Sequence, residues 1–220
     1  AVDWKLNEGK QLEIFSEFIP VVEVPQVTTD TSGDSGLVLS FEFLMEVETN
    51  DVVVKKLRDY IYEYKHWIAE QQKCASEEQG EDLNTADRIV KNMQVAEERM
   101  MSGLALLKND AVARKAFSIA NRAMLAQMRT SLEDLGVDPK GGYKWRPFQL
   151  AFVLMVLESA IDEDSDFRDV VDLIWFPTGG GKTEAYLGVM AFMFAYRRMK
   201  YPASSGGTAA IMRYTLRLLT

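Results

Sequence analysis

The residues best suited to chemistry lie at Phe176-Pro177-Thr178-Gly179-Gly180-Gly181-Lys182-Thr183, a glycine run between an apolar segment and an amphipathic one. Glycines tolerate positive φ and let successive backbone N–H groups point inward, and the free N–H groups of a following helix add partial positive charge. Such a cradle suits phosphate. Lys182 is placed to bridge β- and γ-phosphates and the Thr183 hydroxyl to complete Mg²⁺ coordination, which makes ATP and Mg²⁺ the expected ligands. Glu184, in the first helical turn, suits the macrodipole and reads first as structural, although it stands in the nucleotide-contacting set with Thr178, Gly179, Gly180, Gly181, Lys182 and Thr183. The general pattern G-x-x-x-x-G-K-[ST] is incomplete, because Phe176 stands where its leading glycine would be.

Positioning this loop requires a strand before it and a helix after it. Residues 170–176 form a near-continuous apolar run, as in strands covered on both faces of a parallel sheet. A long helix is predicted from Lys182 to about Lys200, then a loop over 201–207 and a second strand over 208–214. Strand, helix and strand imply a right-handed crossover that opens a nucleotide-binding α/β domain. Upstream, residues 148–161 read as a strongly apolar helix, followed by a solvated acidic loop at Asp162-Glu163-Asp164 with no catalytic role.

The first 140 residues read differently. Residues 11–36 contain Pro20, Pro25 and a Gly/Ser turn, which suggests extended segments and a loop, and the period-two pattern of Phe41, Phe43, Met45 and Val47 predicts a strand over 37–48. Three helices are expected next. Val54, Leu57, Ile61, Tyr64 and Ile68 stripe the first; Asn84 or Thr85 caps the second; Asn109-Asp110 caps the third, which Gly136 stops. Their Met and aromatic stripes read as core. The expected organisation is a mainly α-helical module with a short β segment over 1–140, then the first part of an ATP-binding domain over 141–220.

Several matched segments carry a family resemblance. Pro-Thr-Gly-Gly-Gly-Lys-Thr resembles motif I of superfamily 2 helicases and translocases, in which the leading position varies. Trp145-Arg146-Pro147-Phe148-Gln149 resembles the segment that opens their first motor domain, which implies nucleotide contacts from Arg146 and adenine reading by Gln149. An amide can pair with both N6 and N7 of adenine. Tyr214-Thr215-Leu216-Arg217 resembles motif Ia, with its arginine shifted by one, and implies that Thr215 and Arg217 contact nucleic-acid phosphates. With Ala116 to Met124 and the Thr-Leu-Arg-Leu-Leu-Thr end, the chain looks most like the large helicase-like protein of DISARM anti-phage systems. That likeness implies an α/β fold in which the helical module precedes the start of a RecA-like P-loop motor domain with a parallel sheet. It also implies an ATP-dependent DNA translocase, and a protein partner subunit.

Composition narrows the alternatives. Cys74 and His66 are the only residues of their kinds, so no disulfide framework, Cys/His zinc site or Ser-His-Asp triad can be assembled from these residues. Net charge is −8, but residues 141–220 hold nine Lys/Arg against eight Asp/Glu, while residues 1–140 hold sixteen against twenty-five. Nucleic acid is therefore expected near Arg197, Arg198, Lys200, Arg213 and Arg217. No run of eighteen apolar residues and no basic-then-apolar leader is present, which suggests a cytoplasmic protein without membrane contact. The missing initiator Met and the end at Thr220 read as a portion of a longer chain, inactive by itself. A protein-interaction scaffold and a P-loop NTPase that does not act on nucleic acid remain the competing readings.

Overall fold

A computed structural model describes residues 2–7, 10–16, 36–134, 136, 142–175 and 180–213. An antiparallel hairpin, β1 (Val2–Asn7) with β2 (Lys10–Ser16), sets Val2 opposite Ser16 and shifts register between Lys5 and Leu6. The other described elements are helical: α1 (Phe41–Met45) with a 3₁₀ turn at Glu46–Glu48, α2 (Asp51–Ala75), α3 (Gly80–Asn109), α4 (Ala111–Asp134), α5 (Pro147–Ile161) and α6 (Lys182–Lys200).

The expected α/β architecture is corrected here. No parallel sheet forms among the described residues, and the segments assigned to its first two strands carry no ladder. Residues 170–175 are unpaired and alternate in exposure, with Val171, Leu173 and Trp175 more than three-quarters exposed while Asp172 and Ile174 turn toward the helices. Continuous apolarity mimicked burial on both faces. Residues 208–213 form no strand either, and Ile211 is exposed. A strand needs a neighbour for its N–H and C=O groups, and neither segment has one among the described residues. Phe176 and Tyr214 lie outside the described residues.

Residues 41–48 are helical rather than extended. Phe41, Leu44 and Val47 are fully buried, a three-residue spacing, and Ser40 Oγ accepts a hydrogen bond from Phe43 N–H at 3.4 Å. Phe41 and Val47 fit both periods, and capping by Ser40 favours the helix. The helix α3 also begins four residues before Asn84, with Glu81 and Asp82 in its first turn. Other helices follow their sequence signals. Asp110 Oδ1 accepts from Val112 N–H (2.7 Å) and Ala113 N–H (3.0 Å), capping α4, while Arg114 donates to the Leu107 and Lys108 carbonyls at the end of α3. One short junction thus satisfies two helix ends.

The core lies where α4 packs on α6, α3 on α5, and α2 on α3. Helix α5 is apolar almost all round and buries Leu150, Val153, Leu154 and Leu157. Its approach to α3 is so close that a Cβ on Gly103 would collide with the Leu154 carbonyl oxygen. Tyr196 of α6 donates to Asp110 Oδ2 at 3.3 Å, and Tyr60 of α2 donates to the Pro147 carbonyl at 2.7 Å. No described helix is long and apolar enough to cross a membrane.

Two outcomes are expected. Gly103→Ala drives a methyl into backbone that cannot swing aside, and should destabilise by about 1–3 kcal/mol or more, read as a lowered thermal midpoint. Burial, then the Asp110 carboxylate, pushes the Tyr196 hydroxyl from 10.0 up to about 12, and burial pushes Tyr60 up as well. A raised folded value means that the stability is complete below pH 10.0 and is lost as pH rises from there toward 12. Tyr196→Phe should flatten that alkaline limb in denaturant titrations; an unchanged slope would show that Tyr196 is not its source.

Candidate functional site

The α6 N-terminus opens into a cleft of about 1090 Å³ whose lining includes Arg146, Gln149, Gly180, Gly181, Lys182 and Thr183. Gly181 is the N-cap of α6, at φ 81° and ψ 30°. That left-handed geometry costs a side-chain-bearing residue about 1–2 kcal/mol, so glycine is required where the chain turns into the helix. The turn leaves the first N–H groups of α6 without intrahelical partners, facing the cleft end of the helix.

A buried amide holds this turn. Gln149 is 1% exposed; its Oε1 accepts from Arg146 N–H at 2.7 Å and its Nε2 donates to the Gly181 carbonyl at 2.6 Å. The partners define which end is oxygen and which is nitrogen. Gln149 therefore joins the start of α5 to the start of α6. A Cβ on Gly181 would lie 2.6 Å from that Nε2. The amide to which sequence assigns adenine is thus engaged by the protein itself, and contact with a base requires an exchange of these bonds.

Trp145 seats the segment from which Gln149 extends. Its N–H donates to the Leu39 carbonyl at 2.8 Å, its indole Nε1 donates to Asn121 Oδ1 at 2.8 Å, and its ring meets Phe41 with centroids 4.7 Å apart. Asn121 Nδ2 donates in turn to the Phe117 carbonyl, and Ser118 Oγ to the Met45 carbonyl. The Ala116 to Met124 stretch therefore frames the cleft rather than lining it.

The remaining expected residues divide as follows. Lys182 and Thr183 occupy the first turn of α6, with the Thr183 hydroxyl exposed and 3.1 Å from the Tyr186 hydroxyl. Glu184 also lines the cleft, and its Oε2 is buried without a hydrogen-bond partner among the described residues. Thr178, Gly179, Thr215 and Arg217 lie outside the described residues. Arg213, at the far side of the cleft, is exposed. Among the described residues no group of three or more His, Cys, Asp or Glu side chains is placed to hold a metal.

One partner of the site escaped the sequence reading. Arg99 of α3, 5% exposed, donates Nη1 and Nη2 to Asp172 at 2.6 and 2.8 Å and lies 4.9 Å from the centre of the Phe167 ring. This fork anchors the segment that runs into the glycine loop. Asp172, a lone acid inside an apolar run, was the available signal.

Comparison with known proteins agrees with the DISARM part of the resemblance. The chain is similar to a DISARM protein. It is 37% identical over 246 residues to DISARM protein DrmA of Bacillus paralicheniformis, a match that takes in all of this chain and 21% of that protein's length. No protein-family model matches.

Gln149 and Gly181 should behave as a unit. Gln149→Ala removes the partner of the part-buried Arg146 N–H and Gly181 C=O, and should raise amide exchange in the first turn of α6 by about tenfold. Gly181→Ala should do likewise, and the two together should cost less than the sum. Additive effects in hydrogen-exchange measurements would show that Gln149 does not hold the loop.

Proposed function

We propose that the complete protein is an ATP-dependent DNA helicase or translocase of the superfamily 2 type that serves bacterial anti-phage defence. The observation that carries this reading is the left-handed Gly181 at the N-terminus of α6, followed at once by Lys182 and Thr183 and opening into a cleft. The likeness to DISARM protein DrmA supports the defence role. The reading rests on the chemistry of the loop and not on a parallel sheet.

The residues present fit a nucleotide triphosphate. Gly180 and Gly181 let phosphate approach the backbone, the α6 N-terminus offers N–H donors, and Lys182 supplies a full positive charge there. Thr183 would hold Mg²⁺, which when bound supplies charge that neutralises the phosphoryl oxygens. Gln149 and Arg146 act by keeping the start of α5 and the loop in register, so that the N–H groups need no reorganisation when phosphate arrives. Thr178, Gly179 and Glu184 complete the nucleotide-contacting set of this proposal. DNA is bound without regard to sequence, with Thr215 and Arg217 on the phosphate track, and a partner subunit acts beside the protein.

Lys182→Ala should lower DNA-stimulated ATP turnover by about 100-fold or more while the thermal midpoint stays within a few degrees. ATPase rate and unfolding are measured on both forms. Unchanged turnover in a folded variant would remove the motor assignment.

A further inference from the structure

The C-terminal half of α6 carries a second cleft of about 470 Å³, lined by Phe194, Arg197, Arg198, Ser205, Gly207 and Thr208 and meeting the first at Ala210. Its α6 residues, Phe194 to Arg198, stand roughly 18–24 Å along the helix from Lys182, at about 1.5 Å of rise per residue. Arg197 Nε is buried without a hydrogen-bond partner among the described residues. Arg198 makes a single long contact there, 3.4 Å to Ser205 Oγ, and neither guanidinium has an acidic partner among the described residues. Arginines in a last turn offset the negative end of the macrodipole, yet that needs only exposed cations and leaves a buried, unpartnered Nε unaccounted for.

The neighbours indicate the ligand. Phe194, Arg197, Arg198 and Tyr201 follow the i, i+3, i+4, i+7 spacing of one helical stripe, with Tyr201 as the C-cap of α6, and both aromatic rings are about half exposed at 48% and 49%. Guanidinium forks take phosphate oxygens bidentately, hydroxyls from Ser205 and Thr208 add neutral donors, and exposed rings stack on unpaired bases. An acidic peptide would use the guanidiniums but have no need of the rings.

We propose that this end of α6 is a single-stranded nucleic-acid site, holding backbone phosphate at Arg197 and Arg198 and stacking bases on Phe194 and Tyr201. It deepens the nucleic-acid part of the proposed function and does not use the glycine loop.

The test uses the complete protein and fluorescein-labelled oligo(dT) in an anisotropy titration across a salt series. Arg197→Gln/Arg198→Gln should weaken binding about tenfold at low salt and make the log–log salt slope shallower by about 1.4, two phosphates at roughly 0.7 each. Phe194→Ala should weaken binding several-fold with little change in slope. ATP turnover without DNA should not change in either variant, and matched thermal midpoints would establish that both are folded. Salt titrations of the arginine variant that overlay those of the parent would overturn the site while leaving the motor reading intact. Failure of the parent itself to bind oligo(dT) would overturn the site, while ATP turnover with duplex DNA decides the motor reading separately. Displacement of oligo(dT) by millimolar inorganic phosphate would reduce the cleft to a simple anion pocket, and equal competition by poly-glutamate would assign it to an acidic polypeptide; either overturns the proposal.

Discussion

The indole of Trp145 is the point on which the site depends. It is a large apolar group with one polar atom, and burial at 3% exposure obliges that atom to find a partner, which Asn121 of α4 supplies at 2.8 Å. Its ring meets Phe41 of α1 and packs on Gly188 of α6, so three elements distant in sequence close around one side chain. The residues after it inherit its placement. Arg146 becomes the N-cap of α5, Pro147 starts that helix without an N–H to satisfy, and Gln149 arrives beneath the glycine loop.

From that point the geometry of the loop is held by short polar links inside an apolar frame. Gln149 has a donor and an acceptor on one rigid amide, so it can tie an N–H of one helix start to a C=O of another, which no charged or apolar residue of its size can do. The Arg99 fork on Asp172 restrains the approach to the loop from the other side. These links fix the first turn of α6 without placing a formal negative charge between Arg146 N–H and the Gly181 carbonyl. Glu184 is the exception, with a carboxylate oxygen buried near Gly181.

Charge separates the two ends of α6. The N-terminal end combines backbone donors with Lys182, while the C-terminal end gathers Arg197, Arg198 and Lys200 beside exposed aromatic rings. The acidic residues 1–140 supply most of the helical frame, which leaves cationic chemistry to the surface that α6 presents. The helical frame is thus a scaffold for one helix with a distinct chemistry at each terminus.

Sequence by itself determined the helices α2, α4, α5 and α6, the Asp110 cap, and the glycine-lysine-threonine turn, because these are set by 3.6-residue periodicity and by local capping and φ constraints. It misplaced residues 41–48, where both periods fit Phe41 and Val47 and the Ser40 cap, with burial of Phe41, Leu44 and Val47 at three-residue spacing, favoured the helix. It misread residues 170–175 and 208–213 as strands of a parallel sheet, since apolarity records a tendency to be covered but not the partner that covers. Whether such a segment pairs depends on neighbours that no local pattern specifies. Only tertiary structure decided the role of Gln149, whose amide suits an adenine edge as well as two backbone groups, and brought Arg99 to Asp172 across 73 residues. Those outcomes rest on distance and burial, quantities that exist only once the helices have packed.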